Sequence, residues 1–131
     1  MGEFKVLVVD DEADFLETIV RRLQRRDIEA TGVDSGEKAI EFMERHEVDV
    51  VILDVRMRGM DGIETLKEMK KRWPNVEVVM LTGHGSFESG IEGMQLGAYD
   101  YIMKPAKFDE LMIKIRQAYE RKLIQEKNIR S

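Results

Sequence analysis

The chain has 131 residues, 21 of them basic and 26 acidic, and a formal net charge of −5. Its length fits one domain, and 43% hydrophobic residues are enough to form a buried core. The acidic balance argues against direct binding to nucleic acid or an anionic membrane, and the absence of cysteine excludes disulfides and thiolate metal sites. No apolar run approaches the roughly 20 residues that a membrane span needs, so we expect a cytoplasmic protein.

Five apolar, strand-like runs alternate with five segments of helical periodicity. In chain order, the predicted elements are strand 4–9, helix 13–26, strand 28–33, helix 36–46, strand 48–53, helix 63–73, strand 76–81, helix 86–96, strand 99–103 and helix 108–125. Polar residues in the second strand suit a position near the sheet edge, and Ser35 is the predicted N-cap of the second helix. Gly90 and Gly93 each weaken the fourth helix by about 1 kcal/mol relative to alanine.

Strict alternation predicts an α/β fold, in which helices cover both faces of a parallel five-stranded sheet. Every strand-to-helix junction of such a fold lies at the same edge of the sheet. Four junctions carry polar side chains, at Asp10-Asp11, Asp54, Thr82 and Lys104. The run Val50–Leu53 is typical of a strand buried on both faces, and it leads directly into Asp54. Alone, Asp54 could equally terminate the strand or cap a helix, but the four junctions together indicate a functional site.

Carboxylates gathered at one edge of a sheet repel each other unless a cation lies among them. Their hard oxygen ligands, with room for water, favour Mg²⁺ over Zn²⁺ or Ca²⁺. Asp10 or Asp11, together with Asp54, can supply the metal ligands. A carboxylate beside Mg²⁺ can also attack phosphorus, and Lys104 and Thr82 can neutralise the oxygens of the transferred group. These residues therefore predict an Mg²⁺-dependent aspartyl phosphate.

Short motifs stand at the ends of the predicted strands. They are Val9-Asp10-Asp11, Leu53-Asp54-Val55-Arg56-Met57, Gly59-Met60-Asp61-Gly62, Leu81-Thr82-Gly83 and Gly97-Ala98-Tyr99-Asp100-Tyr101-Ile102-Met103-Lys104-Pro105. Together, over residues 4–122, they resemble the receiver domain of bacterial two-component response regulators. Residues 81–85 are more similar to receivers attached to enhancer-dependent transcription activators than to the chemotaxis type. The resemblance, rather than the residues themselves, implies a flavodoxin-like (βα)5 doubly wound sheet with strand order 2-1-3-4-5.

The resemblance also implies roles for the acidic residues. Asp54 is similar to the phosphoacceptor, which takes its phosphoryl group from a histidine kinase, a phosphotransfer protein or a small phosphodonor. Asp10 and Asp11 are similar to the acidic pair that holds Mg²⁺, with Asp11 the expected direct ligand, and Arg56 is expected to lend its backbone carbonyl to the metal. Arg58 departs from the family's usual proline, so we expect a more mobile loop after Asp54 and looser metal binding.

The remaining matching residues form the switch that the resemblance implies. Thr82 is similar to the switch hydroxyl, Tyr101 to the switch aromatic and Lys104 to the lysine that pairs with phosphate. The peptide bond between Lys104 and Pro105 is expected to be cis. Phosphorylation should shift a pre-existing balance at the surface made by the fourth helix, fifth strand and fifth helix, where a homodimer could form.

We expect residues 1–122 to form the receiver domain and residues 123–131 a C-terminal helix extension or linker. Two apolar stripes run along the last helix; they are Leu111, Ile115, Ala118 and Lys122, and Met112, Tyr119 and Leu123. One stripe should cover the sheet, while the other, extended by Ile124 and Ile129, should be exposed. The extension is either a docked helix with a frayed tail or a helix that forms dimers or leads to an effector domain.

Three other functions compete with the signalling switch. A metal-dependent phosphatase with Asp54 as nucleophile would need a second acid two residues later, where Arg56 stands. A dinucleotide-binding domain would need a glycine-rich turn after the first strand, where Asp10-Asp11-Glu12 would repel a pyrophosphate. A protein-interaction module that never meets phosphate would not need the full set of site residues. The sequence therefore favours a signalling domain rather than an enzyme.

Overall fold

The computed structural model describes residues 4–57, 59–83 and 87–130. Five strands and five helices alternate in these ranges: β1 (Lys5–Val9), α1 (Ala13–Arg25), β2 (Glu29–Val33), α2 (Gly36–Arg45), β3 (Val50–Asp54), α3 (Gly62–Arg72), β4 (Glu77–Thr82), α4 (Phe87–Gln95), β5 (Asp100–Met103) and α5 (Phe108–Arg130). All bounds lie close to the predicted ones except the end of α5, which continues beyond Gln125. Arg58 and Ser86, the predicted first residue of α4, lie outside the described residues.

The five strands form one parallel sheet in the order β2-β1-β3-β4-β5, which confirms the predicted fold and strand order. The polar strand β2 lies at an edge of the sheet, as its composition predicts. In the centre, Val9 pairs with Leu53 and Asp54 pairs with Leu81. The carboxyl ends of β1, β3 and β4 therefore lie side by side, and the junctions that carry polar residues meet at one edge.

Two apolar layers hold the helices against the sheet. Because side chains alternate across a strand, Val6 and Val8 pack with residues of α1 and α5, whereas Leu7 and Val9 pack with residues of α2 and α3. All five residues of β3 are buried, as the apolar run predicts for a central strand. Each fully buried apolar side chain of this kind contributes roughly 1.5–3 kcal/mol, so the central strands are fixed firmly enough to place the residues at their ends.

The turn from β3 into α3 is closed tightly. The Gly62 N–H donates to the Val55 carbonyl at 2.9 Å, and the Asp61 side chain caps α3 by accepting from the Glu64 N–H at 2.9 Å. Asp61 therefore shapes this loop as the N-cap of α3. A Cβ atom on Gly62 would lie 2.6 Å from Val55 Cα and would also meet the Asp54 carbonyl oxygen. Glycine thus allows α3 to begin directly behind the acid at the end of β3.

We expect Gly62→Ala to lower the free energy of unfolding by about 1–3 kcal/mol, because the new methyl group meets backbone atoms that cannot rotate away. Gly93→Ala is a matched control, since its nearest neighbour is the flexible Met80 side chain at 3.3 Å and alanine favours the helix. Urea denaturation of both variants and the wild type measures the difference. A Gly62→Ala variant as stable as the wild type would contradict this packing argument.

Both predicted stripes of α5 are buried in the first half of the helix. The side chains that α5 buries fully or nearly so are Phe108, Leu111, Met112, Ile115 and Ala118. Tyr119 stacks on Phe4, with ring centroids 4.3 Å apart. The expectation that the Met112 stripe is exposed is therefore wrong there, because a helix lying on a sheet face buries an arc wide enough for both stripes. Further along, Leu123 and Ile124 are 46% and 61% exposed.

Ion pairs hold the second half of α5 to the edge of the sheet opposite the polar junctions. Lys122 Nζ lies 2.7 Å from Asp49 Oδ1, and Asp49 Oδ2 accepts from the Lys5 N–H at 2.8 Å. Arg121 Nε lies 3.2 Å from Glu77 Oε2 at the start of β4. The helix then continues unbroken to residue 130, with the side chains from 129 onward outside the described part. Although α5 is long, no helix in the described ranges is apolar enough along its length to cross a membrane.

Candidate functional site

The carboxyl ends of β1 and β3 bring three acidic side chains together. Asp10 and Asp11 follow β1, and Asp54 is the last residue of β3. One carboxylate oxygen of each lies within 4.8 Å of the others. Asp10 is fully buried and Asp54 is 4% exposed, whereas Asp11 faces solvent. The acids singled out in the sequence therefore form one cluster, here called the acidic cluster, which is open to solvent at Asp11.

Lys104 reaches the acidic cluster from the end of β5. Its Nζ lies 2.9 Å from Asp10 Oδ2 and 3.6 Å from Asp54 Oδ1. The Lys104 N–H donates to the Thr82 carbonyl at 2.7 Å, which joins the ends of β4 and β5. The peptide bond between Lys104 and Pro105 is cis, as the resemblance implies. Lys104, just after β5, thus places an ammonium group beside the acids at the ends of β1 and β3.

The charges of the cluster are only partly balanced. Burial, and after it the charge of Asp10, raises the pKa of Asp54 to about 6, although Lys104 opposes this shift. Burial also disfavours the charge of Lys104, but the hydrogen bond to Asp10 and the charges of Asp54 and Asp10 outweigh it and raise the pKa of Lys104. The pKa of Asp54 remains below neutrality, so Asp54 is mainly ionised at pH 7 and its charge is held at a cost in free energy.

We expect Asp54→Asn to raise the free energy of unfolding of the metal-free chain at pH 7 by on the order of 2 kcal/mol, because it removes that buried charge. The pKa of Asp54 rises from 3.8 to about 6 on folding, so its protonated form favours the folded state. That contribution is complete below a pH of about 4 and is lost as the pH rises through about 6. Denaturation at acidic and neutral pH should show an advantage of the variant that grows with pH; an advantage independent of pH would contradict the assignment.

Glu12 also belongs to the site, although little in the sequence indicates this. Glu12 Oε1 lies 3.2 Å from Lys104 Nζ, and the Glu12 N–H donates to Asp10 Oδ1 at 2.9 Å. The Phe15 ring lies beneath the same ammonium, with its centroid 4.9 Å from Nζ. The one sequence feature that points to Glu12 is its position directly after the acidic pair. Its partner Lys104 lies 92 residues away in the chain, so the contact has no local pattern. Three carboxylates and an aromatic ring therefore surround the Lys104 ammonium.

Thr82 and Tyr101 lie on the neighbouring strands β4 and β5. Thr82 is fully buried, and its Oγ1 donates to the Ile102 carbonyl at 3.5 Å, the weak end of hydrogen-bond geometry. Tyr101 is partly buried, and its ring lies against Gly90 of α4. A Cβ atom on Gly90 would be 2.9 Å from Tyr101 Cδ2. The glycine that only weakens α4 in the sequence therefore leaves the space that the tyrosine ring occupies.

Arg56 begins the loop that follows β3. Its backbone N–H donates to Asp54 Oδ1 at 3.4 Å, and its side chain is exposed. The loop borders an open cleft of about 720 Å³ that reaches Asp11 on one side and Glu92 of α4 on the other. The cleft therefore opens the Asp11 side of the acidic cluster to solvent.

The donor set of the acidic cluster fits Mg²⁺. It offers only oxygen ligands, and the exposed Asp11 leaves room for the water molecules that Mg²⁺ usually keeps. Asp10 and Asp54 are buried together, and Lys104 is the neighbouring cation that both share. A bound cation would reduce the remaining repulsion between the carboxylates.

A parallel sheet of this order, with acids and a lysine collected at its carboxyl edge, is the architecture of the phosphorylation-controlled switches of two-component signalling. Residues 6–116 match the family model for the response regulator receiver domain, and the chain belongs to that family. The function predicted from the sequence, a two-component signalling switch, is thereby confirmed.

Known proteins show the same relationship. The chain is 34% identical over 131 residues to an NtrX-like response regulator of Rickettsia bellii, covering 98% of this chain and 27% of that protein. It is 36% identical over 113 residues to the transcriptional regulatory protein ZraR of Escherichia coli, covering 86% of this chain and 26% of ZraR. A receiver domain structure from Clostridium thermocellum aligns with a TM-score of 0.88 and 35% identity, covering 93% of this chain and 98% of that one.

The chain therefore spans about a quarter of the length of the two regulators. Both are response regulators of the NtrX and ZraR type, the sub-family that residues 81–85 indicate.

Proposed function

We propose that Asp54 accepts a phosphoryl group and that Asp10, Asp11, Asp54 and the backbone carbonyl of Arg56 hold Mg²⁺ beside it. The observation that carries this proposal is the meeting of three carboxylates within 4.8 Å at the carboxyl edge of the sheet. A pKa of about 6 leaves Asp54 ionised, and so nucleophilic, at neutral pH. When bound, Mg²⁺ would supply positive charge to the phosphoryl oxygens in the transition state.

The side chains of the domain accomplish the transfer itself. A carboxylate oxygen of Asp54 attacks phosphorus while the bond from phosphorus to the donor's leaving group breaks, and the bonding electrons depart with that group. Lys104 donates to a phosphoryl oxygen, a role supported by its Nζ lying 3.6 Å from Asp54 Oδ1. Thr82 donates to another, since its 3.5 Å contact with the Ile102 carbonyl is weak enough to exchange.

The phosphodonor is a histidine kinase or a phosphotransfer protein, for which acetyl phosphate can substitute in vitro. The open cleft beside Arg56 reaches Asp11 and supports access of such a donor to the acidic cluster. Because the phosphoryl group is transferred to a side chain of the domain itself, which is left covalently modified, the domain acts as a signalling receiver and not as an enzyme. We assign this receiver to residues 1–122 and a helical extension or linker to residues 123–131.

Phosphorylation changes the surface formed by α4, β5 and α5. Thr82 moves toward the phosphoryl group and Tyr101 changes rotamer, so the equilibrium shifts between two states of that surface. Exposed apolar side chains on each of the three elements support a dimer or effector contact there; they are Ile91, Met94, Met103 and Ile113. Because ZraR is a transcriptional regulatory protein, control of transcription is the output that we propose.

Mapping the phosphorylated residue tests this proposal. The chain is incubated with acetyl phosphate and Mg²⁺, the acyl phosphate is trapped by borohydride reduction, and the peptides are identified by mass spectrometry. We expect modification of Asp54 that chelation of Mg²⁺ abolishes. Modification of another residue would overturn the assignment of Asp54, and no modification at all would favour an interaction module that does not use phosphate.

A further inference from the structure

Helix α2 holds the loop between β3 and α3 from outside the acidic cluster. Glu37 lies in the first turn of α2, and its Oε2 accepts a hydrogen bond from the backbone N–H of Met60 at 3.1 Å. Gly59 has a φ of +73°, in the left-handed region that favours glycine. A Cβ atom on Gly59 would lie 2.8 Å from Glu37 Oε2, so glycine lets the carboxylate approach the loop backbone.

The helices on either side of the loop also approach each other closely. A Cβ atom on Gly36, the first residue of α2, would clash with Thr65 Oγ1 of α3 and would lie 3.0 Å from the Met60 carbonyl oxygen. Thr65 is fully buried, and its Oγ1 donates to the Asp61 carbonyl at 2.7 Å. Residues 59–61 thus lie between the first turns of α2 and α3. The position of the loop therefore depends on both helices.

The loop is closed at its base, so a restraint at Met60 is felt at Arg56. The Val55 carbonyl accepts from the Gly62 N–H at 2.9 Å, which joins the two ends of the loop. Together with the covalent backbone from Val55 to Gly62, this hydrogen bond closes a ring, and the Arg56 peptide lies next to its base. Glu37 contacts this ring at Met60, two residues before Gly62. Removing that contact would allow the ring, including the Arg56 peptide, to take other orientations.

We propose that Glu37 is a positioning residue for the metal site: by bonding the Met60 N–H, it fixes the backbone carbonyl of Arg56 in the orientation that binds Mg²⁺. This inference rests on the proposed function, in which that carbonyl is a metal ligand. It extends the metal site to α2, which contributes no residue to the acidic cluster. In this arrangement the hydrogen bond that the Met60 N–H donates to Glu37 restrains the loop after β3.

Titration of the full chain with Mg²⁺ alone, followed by backbone amide NMR shifts near the acidic cluster, tests the proposal. We expect Glu37→Ala to weaken Mg²⁺ binding roughly tenfold, as loss of an outer partner of a metal ligand usually does. Glu37→Gln keeps an acceptor oxygen but removes the charge, so its affinity should stay close to the wild-type value. Glu41→Ala removes an exposed carboxylate one turn further along α2 and is the matched control for charge.

The outcomes separate this proposal from the proposed function. If wild type binds Mg²⁺ and Glu37→Ala binds it equally well, the positioning role of Glu37 is wrong and the metal site stands. Equal weakening by Glu37→Gln and Glu37→Ala would mean that charge matters and not the hydrogen bond, which would also overturn the proposal. If wild type binds no Mg²⁺ at the acidic cluster, the proposed function fails and this inference fails with it. The amide spectrum of the metal-free protein checks that each Glu37 variant is folded. Within it, the Met60 amide shift shows whether the hydrogen bond persists.

Discussion

Asp54→Asn should take up no phosphoryl group from acetyl phosphate under conditions in which the wild-type chain is labelled. The asparagine amide has nearly the same shape as the carboxylate but no anionic oxygen to attack phosphorus. The loss should be complete rather than partial, because in the proposed function Asp54 is the nucleophile. Intact-mass spectrometry of the two proteins, after equal incubation with Mg²⁺ and acetyl phosphate, measures the effect.

Asp34→Asn is the matched control for this experiment. Asp34 is an exposed acid whose ion pair with Lys38, 3.0 Å long, lies outside the acidic cluster. Its asparagine variant should be labelled like the wild type. Loss of labelling in Asp54→Asn would not reflect unfolding, since that variant is expected to be the more stable protein at neutral pH. Label that persists in Asp54→Asn would mean that a different residue accepts the phosphoryl group.

Lys104→Met should lower the free energy of unfolding of the metal-free chain at pH 7 by about 3 kcal/mol. The reason is the fully buried Asp10, which loses an ammonium partner 2.9 Å from its Oδ2 and retains a charge with reduced compensation. Methionine keeps most of the length of the lysine side chain, so lost packing contributes little. Urea denaturation in the presence of a chelator measures the change.

Two further variants identify the cause of this loss of stability. Asp10→Asn combined with Lys104→Met should recover most of the stability, because the buried charge is removed together with its partner. Lys122→Met breaks the 2.7 Å pair with Asp49, whose side chain is 20% exposed, and should cost clearly less. If Lys104→Met and Lys122→Met lowered the free energy of unfolding equally, the loss would not come from leaving the buried Asp10 charge without its partner.

Much of the fold could be predicted because it follows from local rules. The apolar run Val50–Leu53 is typical of a strand buried on both faces, and this prediction places Asp54 at its carboxyl end. Ser35 accepts from the Lys38 N–H at 3.1 Å as a helix cap, which its residue type and place predicted. The grouping of the acids then followed from topology alone, since parallel strands end at the same edge of the sheet.

The parts that could not be predicted depend on contacts between distant residues. Glu37 and Met60 are 23 residues apart, and no pattern in either segment announces their hydrogen bond. From the sequence, Gly90 only lowers the stability of α4. Its role in leaving space for the Tyr101 ring is visible only in the structure. The burial of Met112 depends on the width of the sheet face beneath α5. In each case the residue type was visible in the sequence, but its partner was set by the packing of whole elements.

The attachment of α5 to the sheet gives the helix a fulcrum. The pair between Lys122 and Asp49 lies 14 residues from Phe108, which is about 21 Å along the helix axis. A tilt of about 10° around that pair would carry the first turn of α5, which begins just after Lys104, through about 4 Å. The end of the helix at residue 130 would swing about 2 Å in the opposite direction. A displacement of α5 at the acidic edge would thus be reversed in direction at the far end of the helix, beyond the exposed Leu123 and Ile124.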